Sequence, residues 1–137
     1  MPLEYRARPE STLAFLAQLL PPIGILVGVH IVWAGADEPG GAFQGGAILA
    51  AMCMITMMAK LTEAPPVSDP WLRLALVAGP AVFLAIGVAG VAVASGFFAY
   101  PGFAKPLILF IEAFMTLSIA VTLAMLVAGS PRRAPRR

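Results

Sequence analysis

Long apolar runs and short polar stretches alternate four times along the chain. The apolar runs cover residues 13–34, 43–61, 72–94 and 106–127. Each holds about 18 to 23 residues, enough for a helix to cross a hydrocarbon core of roughly 30 Å. Too few residues remain for a closed barrel, and lipid leaves no other way to satisfy the backbone hydrogen bonds. The pattern therefore predicts an all-α integral membrane protein with four transmembrane helices.

The composition agrees with a membrane location. Of 137 residues, 60% are hydrophobic and 12% charged, and the mean hydropathy is +0.89. A soluble domain would have about 25% charged residues. The length suits one domain, so we expect residues 1–137 to form a single membrane domain. Cys53 is the only cysteine, which excludes an internal disulfide and offers no metal site.

Basic residues are distributed unequally between the two ends of the predicted spans. Of the nine lysines and arginines, only Lys105 lies at one end, and the others lie at the opposite end: Arg6, Arg8, Lys60, Arg73, Arg132, Arg133, Arg136 and Arg137. Because cytoplasmic loops carry an excess of positive charge, both termini are predicted to be cytoplasmic. The composition of the basic tail, residues 130–137, is compatible with nucleic acid, but beside a span we interpret the tail as contacting anionic lipid and expect no nucleic-acid partner.

Two features of the first span affect its interpretation. Pro21 and Pro22 remove backbone hydrogen bonds, so they are expected to kink the helix or to divide it into two segments. Ala34, Gly35 and Ala36 have the form of a signal-peptide cleavage site. The apolar run before them is much longer than the roughly 7 to 15 residues that such peptides use, so we predict that this span is retained.

Residues 37–46, here called the glycine corner, hold four glycines and a proline between the first two spans. Glycine adopts positive φ and permits close backbone approach, so a turn into a crowded helix is predicted. Pro39 suits the first helical turn. Asp37 or Glu38 would cap that helix, or the two acids would attract cations at an outer mouth. Close packing is also predicted where small residues recur four apart, as in Gly41/Gly45, Gly46/Ala50, Ala47/Ala51 and the series Ala81, Ala85, Ala89.

Glu112 is the only carboxylate well inside a predicted span. With the fourth helix starting near Pro106, Glu112 lies roughly 9 Å below the outer end. An acid at this depth marks an ion or proton path by default; the alternative is a protonated acid that hydrogen-bonds a neighbouring helix. Thr116 shares its helix face. His30, the only histidine, would either shuttle protons or pack at the interface.

Residues for catalysis do not form a recognisable set in this sequence. It contains no nucleophile paired with a base, no phosphate-binding loop and no cluster of metal ligands. We therefore expect that the chain is not an enzyme and has no cofactor or metal.

The glycine corner contains Pro39-Gly40-Gly41-Ala42-Phe43-Gln44-Gly45-Gly46. This segment resembles the P-G-G-G-F-x-G-G signature of the B subunit of Mrp-type (Mnh) multisubunit sodium/proton antiporters. The likeness covers nearly the whole chain, with one span before the motif, three after it, and an acid in the opening of the last span, Leu109-Phe110-Ile111-Glu112. Two positions depart from the family pattern: Ala36 replaces a frequent histidine, and Ala42 replaces the third glycine.

The resemblance implies a small subunit of a prokaryotic (inner) cell membrane that does not transport alone. It would pack with other membrane subunits in a complex that exchanges Na+ for H+. Glu112 would border the ion route, with Thr116, His30, Asp37 and Glu38 as further candidates, and the corner would let helices of neighbouring subunits come close. Three alternatives stay open: a related subunit of a redox-driven complex of the hydrogenase or complex I type, a purely structural subunit, and a stand-alone exporter.

Overall fold

The protein is described by a computed structural model over residues 9–94, 96–100 and 102–129. Four helices account for most of these residues: α1 (Pro9–Ala34), α2 (Ala42–Met58), α3 (Pro70–Ala94) and α4 (Ala104–Ala128). Three stretches are long and apolar enough to cross a membrane, namely Thr12–Ala34, Pro70–Ala94 and Ala104–Ala128. α2 is apolar but shorter, with 17 residues. The predicted all-helical class is confirmed, and three of the four predicted spans form helices long and apolar enough to cross a membrane.

α2 ends three residues before the predicted limit because its last turn closes in a Schellman arrangement. Lys60 adopts a left-handed conformation with φ 56°. Its N–H donates to the carbonyl of Met57, and the N–H of Leu61 donates to the carbonyl of Thr56, both at 3.0 Å. These two bonds satisfy carbonyls that the helix leaves without a partner. Hydropathy alone does not fix such a stop, since Ala59 and Leu61 on either side of Lys60 are still apolar.

The helices pack in the order α1, α2, α4, α3. α2 packs against both α1 and α4, α3 packs against α4, and α1 reaches α4 at few points. Within the described ranges α3 contacts neither α1 nor α2, so the helices form an open row rather than a closed bundle. The buried hydrophobic residues are accordingly few and mostly small: Ala17, Val32, Ala50, Leu72, Ala120 and Ala124.

The three prolines inside helices do not interrupt them. Pro21 and Pro22 lie within a continuous α1, so of the two predicted outcomes, a kink or a division into two segments, the division is wrong. Pro80 lies within α3. It has no N–H, which deprives the carbonyl of Leu76, four residues earlier, of its helical donor. The Ser118 hydroxyl of α4 donates to that carbonyl at 2.6 Å, so a polar contact between the two helices replaces the lost bond.

The small-residue face of α3 that packs is not the predicted one. Ala81, Ala85 and Ala89 are all exposed, whereas Gly79, Gly87 and Gly90 are buried. Gly79 faces α4, where an added β-carbon would lie 3.0 Å from the Met115 Cα. The other two glycines accommodate residues 96–100, which fold back along α3.

Candidate functional site

The glycine corner folds so that its own backbone segments touch. A β-carbon on Gly35 would lie 2.6 Å from the Gly41 Cα, so this crossing requires glycine. Gly40 and Gly41 have φ values of 154° and 128°, which L-residues with side chains rarely adopt. Gly41 is the N-cap of α2, and no side chain caps it. Pro39, Asp37 and Glu38 therefore precede the helix, and the predictions that they form its first turn and its cap are wrong.

Asp37 instead pairs with a residue 68 positions further along the chain. Its Oδ2 lies 2.5 Å from Lys105 Nζ, close to the start of α4. The two side chains are 60% and 69% exposed, so the pair contributes no more than about 1 kcal/mol. It still fixes the charge arrangement at this end of the molecule, because it occupies one of the two corner acids.

Two adjacent glycines of α2 let it approach α1 and α4 at the same level. A β-carbon on Gly45 would lie 3.0 Å from the Gly28 carbonyl oxygen of α1 and 2.5 Å from Val32 Cγ2. One on Gly46 would lie 3.1 Å from the Thr116 carbonyl oxygen of α4. The close approach predicted at the corner thus occurs within this chain, where the resemblance implied helices of neighbouring subunits. Phe43, on another face of α2, is 62% exposed.

Glu112 lies directly opposite the start of α2. Its Oε1 is 3.4 Å from the point that a β-carbon on Gly41 would occupy, and Gln44 Oε1 is 3.8 Å from the same point. Its Oε2 is shielded from solvent and has no hydrogen-bond partner among the described residues. The fold therefore brings the acid of the last span to the glycine corner, a juxtaposition that sequence reasoning did not identify.

Thr116 lies one turn from Glu112 and is buried, with 5% of its surface exposed. Its hydroxyl donates to the Glu112 backbone carbonyl at 2.6 Å rather than to the carboxylate. The methyl group faces α2, 3.6 Å from the position of a Gly45 β-carbon. Thr116 thus shares the face of Glu112, as predicted, but its hydroxyl group is already engaged.

The other predicted path residues gather in a separate place. His30, Asp37 and Glu38 line a cavity of about 470 Å³ beside the glycine corner, together with Lys105 and Leu109. Glu112 lines a different cavity of about 380 Å³ between α3 and α4, whose walls include Phe83, Phe98 and Tyr100. The predicted residues therefore fall into two groups, a charged one beside the glycine corner and a second one around Glu112. Sequence reasoning missed Lys105 and the aromatic walls, because both depend on distant parts of the chain.

Three apolar candidate spans and a carboxylate shielded within one of them define the chain as a multi-pass membrane protein with a feature typical of ion transport. Residues 12–130 match the family model described as a domain related to the MnhB subunit of the Na+/H+ antiporter, and the chain belongs to this family. Comparisons with curated proteins and with solved structures gave no match. The match confirms the resemblance seen in the sequence, and it places the chain in a family related to a subunit of a transport complex.

Proposed function

We propose that the chain is a membrane subunit of a multisubunit Na+/H+ antiporter complex, where it contributes to assembly and lines part of an ion path. Its family membership supports the antiporter context and favours it over a redox-driven complex. The observation that supports a path is the Glu112 carboxylate, shielded at Oε2 and unpaired by the described residues. Glu112 is the residue we propose to bind the travelling proton or cation, and His30, Asp37 and Glu38 would line the outer approach.

The open row of helices supports a role inside a larger assembly. Many large apolar side chains are more than half exposed, among them Leu26, Trp33, Trp71, Val93 and Leu126. Lipid can cover such side chains, but it cannot hydrogen-bond or neutralise Glu112. A row with a carboxylate between its helices therefore suits a position among other protein subunits, which supply water or polar groups there.

The proposed topology has four spans with both termini in the cytoplasm. The 17 residues of α2 extend about 25 Å, close to the hydrocarbon thickness of roughly 30 Å. Lys60 and Arg73 then face the cytoplasm, and Lys105 faces outward.

With Cys53 replaced by alanine, an impermeant maleimide added to whole cells should label a cysteine at Phe103 but not one at Glu63. Labelling of both, or of position 63 alone, would contradict this topology.

The role of Glu112 is tested by Glu112→Gln, which keeps the size of the side chain and removes its charge. In everted vesicles, Na+-dependent proton exchange per assembled complex should fall at least about tenfold, as expected when a required proton-transfer group is lost. Glu63→Gln is the matched control, since Glu63 lies in the exposed loop after α2. Normal exchange by a fully assembled Glu112→Gln complex would leave the purely structural alternative in its place.

A further inference from the structure

The cavity that contains Glu112, here called the aromatic groove, is lined by Phe83 of α3, by Phe98 and Tyr100 of the segment after it, and by Ile108 and Glu112 of α4. Phe83 and Phe98 pack with their ring centroids 4.8 Å apart. The Tyr100 hydroxyl donates to the Ile86 carbonyl at 2.7 Å, so its polar end is engaged. The groove therefore presents aromatic rings and aliphatic side chains, and Glu112 is the acidic residue of its lining.

Among the described residues, no lysine or arginine forms a salt bridge with the Glu112 carboxylate. Lys105, the nearest in the α4 sequence, pairs with Asp37. The Nε of Arg73 donates to the Val67 carbonyl at 2.9 Å, in the loop before α3. Lys60 follows the far end of α2. No described residue therefore supplies a positive group for Glu112, and such a group would come from outside the described part of the chain.

The composition of the groove favours a particular kind of cation. Aromatic rings attract ammonium and guanidinium groups, and aliphatic walls suit the methylene stem of a long basic side chain. Phe83 and Ile108 on its walls are 41% and 45% exposed, and both lie within candidate spans. The groove is therefore accessible from the side of the helix row, while the cavity lined by His30, Asp37 and Lys105 is a separate opening.

We propose that the aromatic groove receives one lysine or arginine side chain from a transmembrane helix of a neighbouring subunit, which pairs with the Glu112 carboxylate. This inference deepens the proposed function by stating the chemistry of the partner, and it rests on the chain working inside a complex. Removing one member of a buried pair leaves the other charge without compensation, whereas removing both does not. The proposal therefore predicts a specific pattern among single and double variants.

The first experiment locates the partner in the complete complex. A photo-crosslinking amino acid at Ile108 should join a peptide from a neighbouring subunit that contains lysine or arginine within an apolar segment. The same amino acid at Leu126 is the control, because Leu126 is exposed at the opposite end of α4. A crosslinked peptide without a basic residue in its apolar segment, or an adduct with lipid alone, would overturn the proposal.

The second experiment measures the pairing. Glu112→Gln alone, and methionine in place of the partner's basic residue alone, should each lower the yield of intact complex about tenfold, and the double variant should recover most of it. If the double variant instead lowers the yield of intact complex by the product of the two single losses, the pairing is overturned. Full yield of both single variants would overturn it as well. These assembly measurements are independent of exchange activity. If the assembled Glu112→Gln complex exchanges slowly but no basic residue of a neighbouring subunit is found at the groove, this inference is refuted and the proposed function stays intact.

Discussion

Gly46 is the position where a small change tests the packing of the row most directly. An added β-carbon would lie 3.1 Å from the Thr116 carbonyl oxygen and 2.8 Å from Ile119 Cγ2. The isoleucine methyl can rotate or shift, but the oxygen belongs to the α4 backbone. Alanine at this position therefore requires α2 and α4 to separate slightly, and leucine requires a larger separation.

The expected magnitudes distinguish the two substitutions. In Gly46→Ala, overpacking costs about 1 to 3 kcal/mol, and the better helix propensity of alanine returns about 1 kcal/mol. The net loss should be about 0 to 2 kcal/mol. In Gly46→Leu, three further carbon atoms must enter the same contact, so the loss should exceed about 3 kcal/mol. This corresponds to about a hundredfold shift in the equilibrium between packed and separated helices.

The assay is the yield and thermal midpoint of the intact complex purified from membranes. Gly46→Leu should give little complex, and Gly46→Ala should give complex with a slightly lower midpoint. Cys53→Leu is the control, since Cys53 lies on the same helix and is exposed. If Gly46→Leu assembled at the yield and midpoint of the unmodified chain, the proximity of α2 and α4 at this level would be refuted.

Two further substitutions test single contacts. Ser118→Ala should lower the stability of the complex by about 1 kcal/mol, because the Leu76 carbonyl, which Pro80 leaves without a helical donor, then loses the Ser118 hydroxyl as well. Thr122→Val is the control, since the Thr122 hydroxyl donates to a carbonyl of its own helix. Equal effects of the two would contradict a helix-to-helix role for Ser118. Lys60→Gly should raise stability by about 1 kcal/mol, because glycine adopts the left-handed conformation without strain, and a lower thermal midpoint would contradict the end of α2 described above.

The sequence was sufficient for the number and class of the helices, because hydropathy over about 20 residues reports directly on burial in lipid. It also identified Glu112 and the glycine motif as the unusual features. It did not identify which faces of the helices meet. On α3, two small-residue stripes have similar spacing, and only the fold distinguishes the buried Gly79, Gly87 and Gly90 from the exposed alanines.

The incorrect predictions at the corner have a common physical origin. The preferences for proline and acidic residues at helix starts are local, and they assume that the helix begins at the next position. Here the start of α2 is delayed to Ala42, after two glycines with positive φ. Asp37 is engaged by Lys105, 68 residues away, and local sequence contains no information about such a pair.

Gly41 connects the corner to the acid, and its substitution separates backbone strain from an effect on the site. In Gly41→Ala the φ of 128° becomes strained, and the new methyl group lies 3.4 Å from Glu112 Oε1 and 3.8 Å from Gln44 Oε1. Gly102→Ala is the matched control, because φ is 90° there and no atom lies within 4 Å of the added carbon. Strain of about 1 to 2 kcal/mol is expected in both variants.

Only at Gly41 does an apolar group occupy the space between two polar side chains, where water or an ion would be held. Both variants should therefore lose some stability, but only Gly41→Ala should reduce Na+-dependent proton exchange per assembled complex. If Gly41→Ala and Gly102→Ala show the same Na+-dependent proton exchange per assembled complex, the space beside Glu112 does not take part in ion exchange.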